Sequence, residues 1–531
     1  MFFAPMFHGV MLMWFVMTVR KDDIAELTID GVAFGGQGIA RLDGLVVFVK
    51  GAVPGDRVKA LIFRKKKAYA EAKIHEILVP SPDRIEAPCP YFGICGGCQW
   101  QYVTYERQLE YKRGHIEEAL SHIGSLSGIE VRDPIPSEKS FGYRNKMEFS
   151  FSDRPWLPHT PAKIPSAFPL PPPLTPPARG GENNARGRGL SGGPSTTATR
   201  TCEPHPPLVK GGRGDFALGL HVPGTFDKII DVEACLLQQE RGNEILREVK
   251  RLAGESGLPP YGIKSHKGFW RFLTLRHSAY HDEWMVNLVT SEMRNEVVLP
   301  LAQRLTSLFP NVKTVVNNIT AKKASIAVGE RETVLAGDGI LQDRIGASLF
   351  QISANSFFQT NSIGAETLYG KVAEFAELKG GETILDLYSG TGTIPIFLAH
   401  SARRVIGMEI VESAVLDARR NCQANGIQNC EFLLGDIREN LAFLTLRPEV
   451  MIIDPPRAGM HQEVLSRVLE IGAERIVYVS CNPATLARDL GLMQEHYHIA
   501  EIQPVDMFPH TYHVESVAKL IKRSNRIATV L

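Results

Sequence analysis

The chain has 531 residues, 44% of them hydrophobic, enough to build several cores, and its length carries a soft expectation of three domains. Its 59 Lys+Arg balance 58 Asp+Glu, which excludes a globally basic nucleic-acid binder and makes any cationic footprint local. The eight cysteines, three of them within ten residues, exclude a disulfide-stapled secreted scaffold and point to the reducing cytoplasm.

Residues 1–22 begin "MFFAPMFHGVMLMWFVMTVR", apolar up to Val19 but without a positive leader region and short for a bilayer span. Methionines at 11, 13 and 17 favour a misassigned start over a membrane anchor or cleaved signal, and no membrane partner is expected. Residues 23–82 change to short alternating apolar segments broken by glycine, "IAELTIDGVAFGGQGIARLDGLVVFVKGAVPGDRV", which predicts a small antiparallel β-barrel. Arg64, Lys65, Lys66 and Lys67, with Tyr69 close by, give it a cationic edge with an aromatic neighbour, suited to a phosphate backbone. A solvated loop is the plainer reading of the same run. Through "GVAFGGQGIARLDG" and "VPGDRV" the segment resembles the TRAM domain, a barrel appended to RNA-modifying enzymes.

Residues 83–350 read as a mixed α+β central domain that opens on "APCPYFGICGGCQWQ". Cys89, Cys95 and Cys98 stand in C-x5-C-x2-C spacing, with glycines that let the backbone fold round a metal. Three thiolates need a fourth; Cys235, in patterned sequence, is preferred to Cys202, which lies in a low-complexity tract. A 4Fe-4S cluster and zinc both fit four thiolates, and spacing alone does not choose between them. Radical enzymes that cleave S-adenosylmethionine also carry a cysteine triplet, but in C-x3-C-x2-C spacing. Further on, "YERQLEYKRGHIEEALSHIG" and "EVVLPLAQRLTSLF" predict helices, and "WMVNLVT" and "TVVNNIT" strands. Between 155 and 215 proline, glycine and small polar residues cannot bury enough apolar area to offset chain entropy, so an extended or disordered insertion is expected there. The sequences flanking it, "SFGYRNKMEFSFSD" and "FALGLHVPGTFDKIIDVEAC", would join as a hairpin. Arg144, Asn145 and Lys146 in the first are either an RNA contact or plain surface.

Residues 351–531 carry the chemistry. "ETILDLYSGTGT" is a strand ending at Asp386 that turns through Gly390 and Gly392 into a helix, glycines that allow close approach of a nucleotide-like ligand. "RVIGME" ends in Glu409, placed to accept from two ribose hydroxyls; "CEFLLGD" ends in Asp436 and "VMIIDPPR" in Asp454. Helix caps and turn formers explain each acid singly but not the series of four. In "YVSCNPATLARD" the strand "RIVYVS" delivers Cys481 to its carboxyl end, where open α/β sheets bind ligands.

This ordered set resembles class I S-adenosylmethionine-dependent methyltransferases. More narrowly, "FFQTN", "LDLYSGTGT", "DPPR", "SCNPATLARD" and "HVESV", with the barrel and the cysteine triplet, resemble the RNA uracil-C5 methyltransferases, most of all the iron–sulfur enzymes of large-subunit (23S) ribosomal RNA. Ser389 departs from a cysteine frequent in the family's glycine loop, a swap that a ligand-binding turn tolerates. The resemblance implies an α/β fold with a Rossmann-like catalytic domain, and S-adenosyl-L-methionine held by Gln359, Tyr388, Glu409 and Asp454. Asp436 is a weaker candidate for the adenine amino group. It implies Cys481 as the nucleophile that adds to carbon 6 of uracil, making carbon 5 reactive toward a methyl sulfonium, and Glu515 as the base that later removes the carbon 5 proton. Because the target carbon lies in a stacked base, a flipped or single-stranded uridine is expected. An exocyclic-amine methyltransferase would follow Asp454-Pro455-Pro456 with an aromatic residue rather than Arg457. A cytosine-C5 enzyme would place its thiol beside the two prolines. A binding protein without catalysis would not need both Cys481 and Glu515.

Overall fold

The computed structural model describes residues 19–154, 156–158, 208–210, 216–323 and 326–524. The expectations for the first 18 residues, for Cys202 and for most of the 155–215 insertion lie outside that range. Two compact units divide after Arg84.

In the first unit a six-stranded sheet runs in the order Ile24–Thr28, Arg57–Lys65, Tyr69–Val79, Leu45–Lys50, Gly38–Leu42, Gly31–Val32. Period-2 alternation turns Val47, Val49, Val58, Ala60, Ile62, Ala70 and Ala72 into one core, each fully buried. The pairing is not wholly antiparallel as the sequence suggested, since Leu45–Lys50 runs parallel to Tyr69–Val79. The intervening strand crosses to the far side, so the chain returns between the two in the original direction. Asp56, fully buried, fixes the "VPGD" turn: its carboxylate accepts from Val53 N at 2.7 Å, Ser81 N at 2.8 Å and the Arg84 guanidinium. Arg64 to Lys67 are exposed, and Arg64 pairs with Glu71 at 3.0 Å.

The second unit holds two larger sheets. The central one has the order Ile229–Asp231, Ala217–His221, Lys146–Ser152, Trp270–Ser278, Glu283–Thr290, Val312–Ile319, Arg331–Ala336. Its antiparallel pairing of Ala217 with Ser152 and Leu218 with Phe151 joins the two sequences that flank the insertion. Helices Glu240–Glu255 and Asn295–Leu308 bury Leu246, Val249, Leu301 and Leu305 in the core that includes Phe149, Leu273 and Val286.

The other sheet positions the chemistry. Its strands, in chain order Thr383–Leu387, Arg404–Glu409, Cys430–Leu434, Val450–Ile453, Arg475–Ser480, Tyr497–Val505 and Glu515–Lys522, lie side by side as third, second, first, fourth, fifth, seventh, sixth. The first five pair in parallel, and Glu515–Lys522 pairs antiparallel with both Arg475–Ser480 and Tyr497–Val505. Helices cover both faces, so the strands read as continuous apolar runs. Ile384, Val405, Ile452 and Val477 pack to one side and Leu385, Ile406, Met451 and Ile476 to the other. Truncating a fully buried residue here, such as Ile452, costs about 2–5 kcal/mol. The strand order reverses between Thr383–Leu387 and Val450–Ile453, which opens a crevice at their carboxyl ends.

Candidate active site and thiol cavity

Cys481 follows directly on the strand Arg475–Ser480 and precedes Asn482, the N-cap of the helix Pro483–Met493. Asn482 Oδ1 accepts from Ala484 N at 3.1 Å and Pro483 occupies the first turn, so the helix starts abruptly and its positive end lies beside the thiol. The Asn482 side chain donates to the Arg457 carbonyl at 3.0 Å, tying the "DPPR" loop to the cysteine turn. Gly124 and Gly491 let the helix Tyr105–His122 approach from behind: a Cβ on Gly491 would stand 2.7 Å from the Gly124 carbonyl oxygen.

Arg457, exposed, reaches this point from the end of the fourth strand, and its Nη2 stands 3.2 Å from His513 Nδ1. Burial, then the nearby Glu515 and Asp454 carboxylates, push the Cys481 thiol up to about 11, while the Arg457 guanidinium pulls the other way. Burial, then Asp454, raise Glu515 to about 8, again opposed by Arg457. Burial raises Asp454 to about 7. The fold thus gathers one thiol, two carboxyl groups and one exposed guanidinium at the carboxyl edge of the sheet. Glu515, an unremarkable residue in the sequence, is 9% exposed because it opens an antiparallel strand paired at Ser516 with Ser480.

The glycine turn lies one strand away. Gly390 and Gly392 have φ +53° and +77°, and a Cβ on Gly392 would meet Phe432 at 2.8 Å and Ala418 at 2.9 Å. Tyr388 also takes a positive φ, +67°, a conformation that a bulky residue holds only when its surroundings impose it. Glu409 lies across the turn: its carboxylate accepts from Gly390 N at 2.9 Å and Val411 N at 2.8 Å. Gln359 hydrogen-bonds Tyr369, whose hydroxyl stands 2.9 Å from Thr393 Oγ1 at the start of the next helix. Asp386 is buried with neither carboxylate oxygen partnered, and burial, then Asp454 and Glu409, raise it well above the usual range. Asp436 is different. It caps the helix Ile437–Ala442, and the Arg438 side chain holds its carboxylate down at about 2 through bonds of 2.6 and 3.0 Å.

Cys89, Cys95, Cys98 and Cys235, from two stretches far apart in sequence, line one cavity of about 470 Å³ together with Arg144, Lys146 and Thr360. Burial raises all four thiols, Cys89 to about 11 and Cys95 to about 12, and the charge of Cys235 raises the other three further. Among the described residues no three His, Cys, Asp or Glu side chains are grouped tightly enough to hold a metal ion. Asn145, which the sequence left between RNA contact and plain surface, is instead buried, with its Nδ2 donating to Ser362 Oγ at 2.6 Å. Sequence reasoning had left Arg457 and His513 without roles. Only the fold brings Arg457 beside Cys481, 24 positions away, and His513 against Arg457.

A seven-stranded sheet in this order, with acids at its strand ends and a glycine turn after the first, defines a class I methyltransferase fold. Residues 321–523 match the family model described as tRNA (Uracil-5-)-methyltransferase, and residues 23–75 match the TRAM domain. An uncharacterized RNA methyltransferase of Chlorobaculum tepidum is 40% identical over 508 residues, 94% of this chain and 96% of that protein. One of Halalkalibacterium halodurans is 35% identical over 506 residues, covering 94% and 98%. The crystal structure of Pyrococcus abyssi tRNA (uracil-54, C5)-methyltransferase in complex with S-adenosyl-L-homocysteine superposes with a TM-score of 0.67 at 28% identity, over 94% of this chain and 100% of that one. The chain belongs to the RNA uracil-5 methyltransferase family, whose members are S-adenosylmethionine-dependent enzymes. Among the described residues no helix is long and apolar enough to cross a membrane.

Proposed function

We propose that the protein transfers a methyl group from S-adenosyl-L-methionine to carbon 5 of one uridine in 23S ribosomal RNA, through a covalent bond between Cys481 and carbon 6. The observation that carries this is the gathering of Cys481, Glu515, Asp454 and Arg457 at the carboxyl edge of the sheet that also carries the glycine turn. The partly exposed thiol gives its proton to solvent and, as a thiolate stabilised by Arg457 and the helix N-terminus, adds to carbon 6. Electron density moves to carbon 5, which takes the methyl group that the bound sulfonium supplies. Glu515 then accepts the remaining carbon 5 proton, the carbon–sulfur bond breaks, and the thiolate is restored.

Gln359, Tyr388, Gly390, Glu409 and Asp454 would hold the cofactor. The unpartnered Asp386 and the glycine cradle suit a nucleoside and a sulfonium. Asp436 belongs to that set only if Arg438 releases it. Cys89, Cys95, Cys98 and Cys235 would hold a 4Fe-4S cluster, which is larger than a single ion and suits four soft donors spread round one cavity, and their buried thiols need a cation to ionise together; zinc, the less favoured alternative, would require them to draw closer. The group would support the fold rather than take part in the transfer. The exposed Arg64 to Lys67 edge of the TRAM unit would contact the RNA backbone.

Transfer RNA is the second reading, favoured by the solved Pyrococcus relative, which acts on uracil 54 of tRNA. The ribosomal reading leans on the resemblance of the cysteine set to the iron–sulfur enzymes of large-subunit RNA. Radiolabelled S-adenosylmethionine with undermodified 23S RNA and tRNA, followed by nucleoside analysis, separates them. 5-Methyluridine in tRNA alone removes the ribosomal assignment, and its absence from both removes the proposal.

A further inference from the structure

One face of the helix Tyr105–His122 grips the loop that leads into Glu515. Tyr105, Gln108 and Lys112 recur at the three- and four-residue spacing that aligns side chains on a helix, and all three are buried. Tyr105 donates its hydroxyl to Asp506 Oδ2 at 2.8 Å; Lys112 donates to Asp506 Oδ1 at 2.5 Å and to the Phe508 carbonyl at 3.0 Å. Gln108, 0% exposed, accepts the His510 N–H on Oε1 at 2.9 Å and donates from Nε2 to the carbonyls of Trp100 and Val103 at 3.0 and 2.9 Å. Trp100 and Val103 lie in the segment that leaves Cys98. That segment also donates to the loop: the N–H groups of Gln99 and Trp100 reach the His510 carbonyl at 2.9 and 3.0 Å. Gln108 therefore bridges the cysteine segment and the 506–513 loop with a single carboxamide.

The clamped loop is not relaxed. His510 has φ +65°, and its ring stacks on Phe141 at 4.1 Å between centroids. Such a backbone persists only where neighbours over-determine it. Downstream, the Thr511 hydroxyl donates to the Phe508 carbonyl at 2.8 Å, His513 N donates to Thr511 Oγ1 at 3.3 Å, and Glu515 begins the next strand.

We infer that Gln108 is a positioning residue: it locks the 506–513 loop to the cysteine segment, so that Glu515 stands correctly for the step after methyl transfer. The inference rests on the reading of Glu515 as the base. That base acts only once the methyl group is in place. A displaced Glu515 lets the bond to Cys481 form and the methyl transfer proceed, and then stalls release. A general loss of structure lowers both stages alike.

The test uses full-length Gln108→Met with an RNA that the wild-type protein methylates. Single-turnover methyl incorporation stays within about threefold of wild type, while steady-state turnover falls about tenfold or more and a covalent methylated enzyme–RNA species accumulates on denaturing gels. Gln108→Glu keeps the acceptor for His510 N–H and loses the donor. It shows a smaller version of the same split and serves as the test if the methionine variant does not fold. Equal loss at both stages, or no loss at either, overturns the inference. Glu515→Gln run in parallel separates the two readings. If it accumulates the adduct and the Gln108 variants do not, this inference alone fails; if it accumulates none, the base assignment fails and this inference goes with it.

Discussion

The four cavity thiols of the second unit are more deeply buried than Cys481, and the proposed function gives the two places different work. The cavity thiols Cys89, Cys95, Cys98 and Cys235 face one another, and ionising one opposes ionising the next. Cys481 faces the Glu515 and Asp454 carboxyl groups, one guanidinium and the start of a helix. Burial raises the thiol in both places, so burial by itself does not distinguish a ligand from a nucleophile. The company does: four thiols that oppose one another's ionisation, with Arg144 lowering only Cys95 and Cys235, suit a shared cation, whereas Cys481 is a single thiol between two carboxyl groups and the Arg457 guanidinium.

The sharpest way to break this comparison is at Cys481. Cys481→Ala lowers turnover by about 10⁴-fold or more and abolishes covalent capture of 5-fluorouridine RNA, measured by methyl incorporation and denaturing gels. Undiminished turnover would falsify the nucleophile assignment. Next in size is Glu515→Gln, which slows turnover about 10²- to 10⁴-fold while the enzyme–RNA adduct persists.

The pH dependence of the wild type sharpens the same point. Proton removal needs the Glu515 carboxylate, which forms only as pH rises through about 8, so single-turnover release of the adduct accelerates across that range. The sign for stability is opposite. Native Glu515 and Asp454 hold protons that the unfolded chain releases in the ordinary carboxylate range, so unfolding free energy falls as pH climbs from that range to about 8. Chemical denaturation as a function of pH checks this, and Glu515→Gln flattens the slope. Arg457→Met removes the local cation. Adduct formation slows about 10- to 100-fold at neutral pH and its pH profile moves upward, since Cys481 loses the influence that opposes burial.

Cys98→Ser tests the other thiol group. Anaerobically purified protein loses the iron and the visible absorbance of a cluster, or the bound zinc, and melts earlier. An unchanged metal content in that variant would take Cys98 out of the ligand set. Smallest is Asp436→Asn, which leaves the methyl donor's KM within about threefold, because Arg438 and a helix N-terminus already occupy that carboxylate.

Local text determined the kinds of element and several of their ends. Runs such as "TILDL" and "RIVYVS" are apolar at every position because both faces of a parallel sheet are covered, and the glycines at 390 and 392 announce a turn that a Cβ would obstruct. Cysteine spacing could propose three ligands, but Cys235 joins them only because the strand Lys146–Ser152 pairs with Ala217–His221 across the insertion and brings its segment back. Periodicity likewise could not reveal the parallel pair in the TRAM sheet, since alternation is the same whichever way a neighbour runs. What tertiary structure alone decided was proximity: Arg457 beside Cys481 and His513 against Arg457, Glu515 buried rather than solvated, and Gln108 between two loops about four hundred positions apart. Those contacts depend on strand order and crossover, and a linear pattern of residue types carries only the preference of each segment for its own shape and its own buried face.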